Sequence, residues 1–80
     1  MDRYALREAL RAAGVADAYY HVEGVHEPVP TPPDHVFLRR GPEGGWETGV
    51  YERGSHEVMA RHSRESDACD RLWRMLAPQR

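Results

Sequence analysis

Four prolines within six residues divide this chain into two parts that an extended segment must connect. Pro28, Pro30, Pro32 and Pro33 all lie in EGVHEPVPTPPD, residues 23–34. Proline lacks a backbone N–H and clashes with the preceding helical turn, so this segment cannot form a helix or a central strand. We predict a semi-rigid crossover here. A proline-rich stretch can also fit an aromatic-lined groove of a partner protein, and that second use stays open.

The residues before the crossover predict a helix followed by a short strand. Asp2 can cap the first turn of DRYALREALRAAGV, residues 2–15. Gly14 can end this helix in the left-handed conformation, with Val15 packing back on Leu10. AYYHV, residues 18–22, has β-branched and aromatic character and predicts a short edge strand. The apolar stripe that indicates the helix consists of Leu6, Ala9, Leu10 and Ala13.

Three further strands are predicted after the crossover, and side-chain alternation assigns their faces. Trp46 lies on the face opposite Tyr51, so at least one of these rings is expected to lie off the core. Gly49 indicates a bulge or a close approach by another group. The strands are HVFLRR (35–40), WETGVYER (46–53) and HEVMARH (56–62), joined by turns at GPEGG (41–45) and RGS (53–55). In the first of these strands, Val36 and Leu38 share one predicted face, and His35 and Phe37 share the other. In the second strand, the face with Trp46, Thr48 and Val50 lies opposite the face with Tyr51. In the third strand, one face carries His56, Val58, Ala60 and His62, and the other carries Glu57, Met59 and Arg61.

A second amphipathic helix closes the chain. Ser63 stands at its expected N-cap position, and the acids Glu65 and Asp67 suit the positive end of the helix dipole. Pro78 ends the helix. Its buried stripe is predicted to contain Ala68, Cys69, Leu72, Trp73 and Leu76.

These elements predict a single domain over residues 1–80. Its fold class is α+β, with two layers: a three- to four-stranded antiparallel meander carries the N-terminal and the C-terminal helix on one face. A chain of this length buries only about 60–65% of its unfolded surface, so its core is thin.

Composition narrows the classes of partner. The chain has 11 Arg, no Lys and 13 acidic residues, and its net charge of −2 provides no basic field for nucleic acid. Residues 17–57 hold eight acids and three bases, a local charge of −5 that suits a basic protein partner. The charged N-terminus is unlike a signal peptide, and no apolar run is long enough to span a membrane. With Cys69 alone no intramolecular disulfide can form, so we expect a cytoplasmic protein.

The nucleophilic and metal-binding residue types do not fall into a strong motif. Cys69 lies on the apolar stripe of the last helix and is expected to be buried rather than reactive. His56 and His62 share a predicted face but stand about 20 Å apart along a straight strand, too far to bind one ion. Either could join a histidine of a neighbouring strand, so a histidine-based metal-binding protein stays an alternative. The five histidines are His21, His26, His35, His56 and His62.

Acid–base catalysis also lacks a predicted site. Glu47 with Glu57, or Glu52 with His56, could meet across a hairpin. General acid–base catalysis needs a pocket that shifts pKa values, and nothing in the sequence predicts one. We therefore expect a protein that is not an enzyme and needs no cofactor.

Several elements together resemble a group of small bacterial proteins found beside polymorphic-toxin genes, the immunity and immunity-like proteins. The resemblance covers most of the chain: LREALRAAGV, DAYY, HVFLRR, WETGVYERG and the ESDAC start of the last helix. It implies a toxin-neutralising role without catalysis. The residues that carry it are Gly14, Tyr20, Trp46, Tyr51, Glu52, Arg53, Gly54, Ala68 and Cys69.

The sequence thus predicts a non-enzymatic protein-binding module, immunity-like, that covers a toxin domain with an acidic sheet surface bearing an aromatic anchor. A structural homodimer that completes its sheet through an edge strand is a further alternative. The predicted partner-binding residues are Trp46, Glu47, Tyr51, Glu52 and Glu57.

Overall fold

Two helices and a four-stranded sheet make up the fold in the computed structural model, which describes residues 1–78. The strands follow one another across the sheet in the order β1-β2-β3-β4. This arrangement confirms the predicted α+β class with helices near both ends of the chain. The elements are α1 (Arg3–Ala12), a 3-10 turn (Asp17–Tyr19), β1 (Tyr20–Val22), β2 (Asp34–Arg40), β3 (Trp46–Glu52), β4 (Ser55–His62) and α2 (Glu65–Leu76).

Both helices pack on one side of the sheet, which we call the helix side. The opposite side, the open side, is covered by neither α1 nor α2. Apolar residues of the helices and of β1, β2 and β3 form one core, whose burial from water is the main stabilising term of the fold. Its buried members are Leu6, Leu10, Tyr20, Val22, Leu38, Trp46, Ala68, Cys69 and Leu72.

The ends of α1 are formed as predicted. The Asp2 carboxylate accepts a hydrogen bond of 2.8 Å from the backbone N–H of Ala5. At the other end Gly14 has φ +79°, which a residue with a Cβ rarely adopts. The backbone N–H of Val15 then donates to the carbonyl of Leu10 at 3.0 Å and completes a Schellman motif.

The first strand differs from its prediction in length and in direction. Residues 17–19 form the 3-10 turn, so β1 begins only at Tyr20. It pairs in parallel with β2, with Tyr20 opposite Val36, whereas the other two strand pairs are antiparallel. The proline-rich crossover carries the chain back to the end of the sheet where β1 began. The sheet is therefore mixed rather than wholly antiparallel.

Gly49 allows both a bulge and a close contact in the centre of the sheet. A Cβ at this position would collide with the backbone carbonyl of Glu57 and stand 2.9 Å from Cζ of Phe37. The ring of Phe37 therefore lies over the glycine of the neighbouring strand. The ladder between β3 and β4 shifts between Thr48 and Gly49, as the prediction of a bulge requires.

The bulge corrects the predicted faces of β4. Ala60 pairs with Thr48 and Val58 with Gly49, so the residue between them, Met59, has no partner. One extra residue reverses the alternation. His56 and Val58 therefore face the open side, whereas Ala60 and His62 face the helix side.

The start of α2 lies one residue later than predicted. Arg64 is the N-cap and makes no capping hydrogen bond with its side chain, so Ser63 does not hold this position. The first turn is fixed instead by α1: Glu65 accepts hydrogen bonds from the backbone N–H of Arg3 at 2.8 Å and from its Nε at 3.0 Å. This contact ties the N-terminal ends of the two helices together.

Candidate protein-interaction site

Trp46, one of the two predicted aromatic anchors, belongs to the core. Its side chain faces the helix side and the residue is 8% exposed. The Cζ atoms of Arg3 and Arg40 lie 5.0 and 4.5 Å from the ring centroid, in cation–π geometry. Because the core and these two guanidinium groups enclose the ring, we remove Trp46 from the predicted partner-binding set.

Glu47, a predicted source of negative charge, is buried between two arginines on the open side. Arg39 Nε donates to Oε1 at 3.0 Å, and Arg61 Nη1 donates to Oε2 at 2.7 Å. The three residues are direct neighbours across β2, β3 and β4. This part of the open side carries two cations around one anion, so the predicted acidic sheet surface does not exist here.

Tyr51, the other predicted anchor, faces the open side in a row of rings that crosses all four strands. His21 and His35 are stacked with centroids 5.9 Å apart, and His35 stacks on Tyr51 at 4.8 Å. His56 meets the Tyr51 ring edge-on at 4.7 Å. Burial lowers the pKa of His21 and of His56, so these imidazoles favour the neutral form. Tyr51 is half-buried by this row, not free on the surface.

Exposed carboxylates lie instead on the helix side, where β2 begins and β3 ends. Asp34 and Glu52 are direct cross-strand partners, and Glu57 lies opposite Val50. All three acids are exposed. Within residues 1–78 none of them takes part in an ion pair. Glu52, one of the predicted binding residues, thus meets Asp34, an acid that was not in the predicted set.

An open cleft lies beside these acids, and we call it the acidic cleft. It has a volume of about 270 Å³ and lies between the hairpin end of the sheet, the C-terminal turn of α2 and the 3-10 turn. Tyr19 at its edge is 61% exposed. The lining residues are Tyr19, Asp34, His35, Val36, Val50, Tyr51, Glu52 and Leu76.

Sequence reasoning missed Tyr19 and Asp34 as site residues. Tyr19 precedes the strand and reaches the cleft only because residues 17–19 turn outward. Asp34 was counted among the acids, but its place opposite Glu52 depends on the β2–β3 register. That register could have been obtained by counting back from the GPEGG turn, which pairs Arg40 with Trp46.

Cys69 is fully buried in the core, as predicted. Burial raises the pKa of its thiol to about 11, so the thiolate is scarce at neutral pH. Nucleophilic chemistry requires the thiolate and access to it. The position of Cys69 therefore offers no nucleophile for catalysis.

The histidines do not assemble a metal site among the described residues. In residues 1–78 no three His, Cys, Asp or Glu side chains come close enough to hold an ion together. His62 joins Thr48 Oγ1 through Nε2 at 3.0 Å, and His26 Nε2 donates to the carbonyl of Asp17 at 2.9 Å. Across the same residues, neither helix combines the length and apolarity needed to cross a bilayer.

Comparison with protein-family models, with curated proteins and with solved structures finds no match for this chain.

Proposed function

We propose that this protein is a non-enzymatic protein-binding module that recognises a basic surface of its partner through the acidic cleft. The observation that carries the proposal is the pair Asp34 and Glu52, whose carboxylates stand at an open, partly apolar cleft without an ion-pair partner in residues 1–78. Complementary charge at such a rim accelerates association and selects the partner.

The C-terminal end of α2 adds to the negative potential of the cleft. Leu76, the last residue of α2, lines the cleft. Carbonyl groups of the final helical turn lack partners within the helix, and their dipoles favour a cation nearby. Two carboxylates and a helix C-terminus thus favour a positively charged group at the same place.

The class of partner that we propose is a toxin domain, and the protein would neutralise it as an immunity-like protein. This part of the proposal rests on the resemblance carried by the WETGVYERG hairpin and the last helix. Tyr51, Glu52 and Glu57 stay in the proposed interface, and Tyr19 and Asp34 join it. Trp46 and Glu47 act within the fold.

Affinity capture from a lysate of the source cells tests this function when it is done with matched charge reversals. Immobilised wild-type protein should retain one basic protein, less of it as ionic strength rises from about 50 to about 300 mM. Glu52→Arg should reduce capture by more than about tenfold. Glu43→Arg makes the same charge change at an exposed residue of the loop between β2 and β3, outside the cleft, and should retain capture.

Charge reversal at Glu47 is unsuitable for this test because it would place three arginines together and damage the fold. Equal capture by the Glu52→Arg and Glu43→Arg proteins would contradict the proposed interface. Capture of an acidic protein whose retention is insensitive to salt would contradict the proposed chemistry of the partner.

A further inference from the structure

The acidic cleft is smaller than a typical small-molecule site and has room for one long side chain. Its volume of about 270 Å³ lies below the range of about 300–1,000 Å³ that small-molecule sites occupy. Val36, Val50 and Leu76 give it an apolar floor. Such a floor suits the methylene stem of a basic side chain, whose charged head stays near water.

The two carboxylates at the rim repel each other in the free protein. Asp34 and Glu52 lie directly opposite in the antiparallel β2–β3 pair. Like charges at this position destabilise a sheet, and no cation of residues 1–78 compensates them. A cation bound between them would offset this repulsion.

The exposed ring of Tyr19 favours an arginine side chain over a lysine side chain. A guanidinium group is planar, stacks on aromatic faces and can donate two parallel hydrogen bonds to carboxylate oxygens. The ammonium group of lysine can also lie over a ring, but it is a compact, strongly hydrated point charge without a planar face to stack. The ring thus suits the planar face of a guanidinium group, the carboxylate pair suits its N–H groups, and the apolar floor suits the methylene stem of the arginine side chain.

From this match we infer that the acidic cleft binds one arginine side chain of the partner, with the guanidinium against Tyr19 and between Asp34 and Glu52. The inference rests on the proposed function for its biological setting, but it describes a site that can be tested without any partner protein.

Titration with three blocked tripeptides, followed by NMR amide shifts of the full chain at low salt, tests the inference. The peptides are Gly-Arg-Gly, Gly-Lys-Gly and Gly-citrulline-Gly, and citrulline keeps the shape of arginine without its charge. The arginine peptide should shift cleft residues and bind about threefold more tightly than the lysine peptide. The citrulline peptide should bind at least about fivefold more weakly than the arginine peptide.

Two variants separate the contribution of the Tyr19 ring from that of the Glu52 charge, and both change exposed side chains. Tyr19→Ala should abolish the preference for arginine over lysine, and Glu52→Gln should weaken both cationic peptides. Glu43→Gln, which removes the same charge outside the cleft, should bind like the wild type. Equal affinity for arginine and lysine, equal affinity for arginine and citrulline, or shifts confined to residues outside the cleft would each overturn the inference.

The outcome is separable from that of the protein-capture experiment. If Glu52→Arg abolishes capture of a basic protein but arginine has no advantage over lysine, the proposed function stands and the arginine site fails. If the peptides behave as predicted but capture does not depend on Glu52, the arginine site stands and the proposed function fails.

Discussion

Strand β3 contains two aromatic–acid pairs, Trp46–Glu47 and Tyr51–Glu52, and their environments are opposite. At the first pair the ring lies in the core against Arg3 and Arg40, and the acid is held by two arginines from flanking strands. At the second pair the ring lies on the open side among histidines, and the acid faces another acid. Within residues 1–78 the fold pairs the acid of the first pair with arginines and leaves the acid of the second pair without an ion pair.

The comparison shows that cross-strand neighbours, not residue type, decide whether an acid is available to a partner. Glu47 has an arginine on each side in the sheet, whereas Glu52 has Asp34 and Ser55. Cavity size does not decide it either. A larger hollow of about 540 Å³ lies beside Trp46 and Glu47, but of the two carboxylates in its lining, Glu43 and Glu47, the one on the sheet, Glu47, is already paired.

The largest expected difference between the two pairs is in stability after removal of the ring. Trp46→Ala should lower the free energy of unfolding by about 3–5 kcal/mol because it empties a core position. Tyr51→Ala should cost about 1–2 kcal/mol because the half-buried ring loses mainly its contacts with two imidazoles. Urea unfolding followed by circular dichroism measures both values. A loss for Tyr51→Ala as large as that for Trp46→Ala would show that the open side holds a second core.

The smallest expected effect is the pH dependence of stability that comes from the two histidines opposite these pairs. His62 lies opposite Trp46, and His56 lies opposite Tyr51. Burial is the largest cause that lowers the pKa of each. Between the lower pKa of the folded state and the unfolded value of about 6.5, the unfolded chain binds more protons than the folded protein, so stability falls as pH falls. The melting temperature should decrease between about pH 7.5 and about pH 5.

The contribution of His62 to this pH dependence can be isolated by substitution. His62→Gln removes its titration and should reduce the size of this acid-induced decrease relative to the wild type. A decrease that is unchanged in the His62→Gln protein would contradict a role for this imidazole.

Much of the fold could be predicted because local signals agree with the final packing. The Asp2 cap, the Gly14 ending and the apolar stripes of both helices depend on neighbouring residues alone. A bulge or a close contact at Gly49 was predictable because a glycine inside a strand is typical of such positions. The structure agrees, since a side chain there has no space. The faces of β4 were not predictable, because the position of the extra residue, Met59, follows from pairing with β3.

Longer-range geometry explains the other misses. The parallel direction of β1 depends on the path of the crossover, whose prolines restrict local conformation but do not specify where the chain returns. The acidic middle of the sequence predicted a charged surface, but Arg39 and Arg61 neutralise Glu47 through the register of three strands. Asp34 and Glu52 meet through the same register, which follows from the length of the GPEGG turn and not from the spacing of the two acids in the sequence.

We expect the stability of the fold to depend on the carboxylate of Glu47 and not on that of Glu52. The most direct test is the free energy of unfolding in urea for Glu47→Gln and Glu52→Gln, two isosteric changes five residues apart on one strand. Glu47→Gln should lose about 1–3 kcal/mol because two charged hydrogen bonds are weakened. Glu52→Gln should change stability by less than about 0.5 kcal/mol, or raise it slightly by removing repulsion from Asp34. Equal losses, or a larger loss for Glu52→Gln, would show that the two carboxylates do not differ in this way.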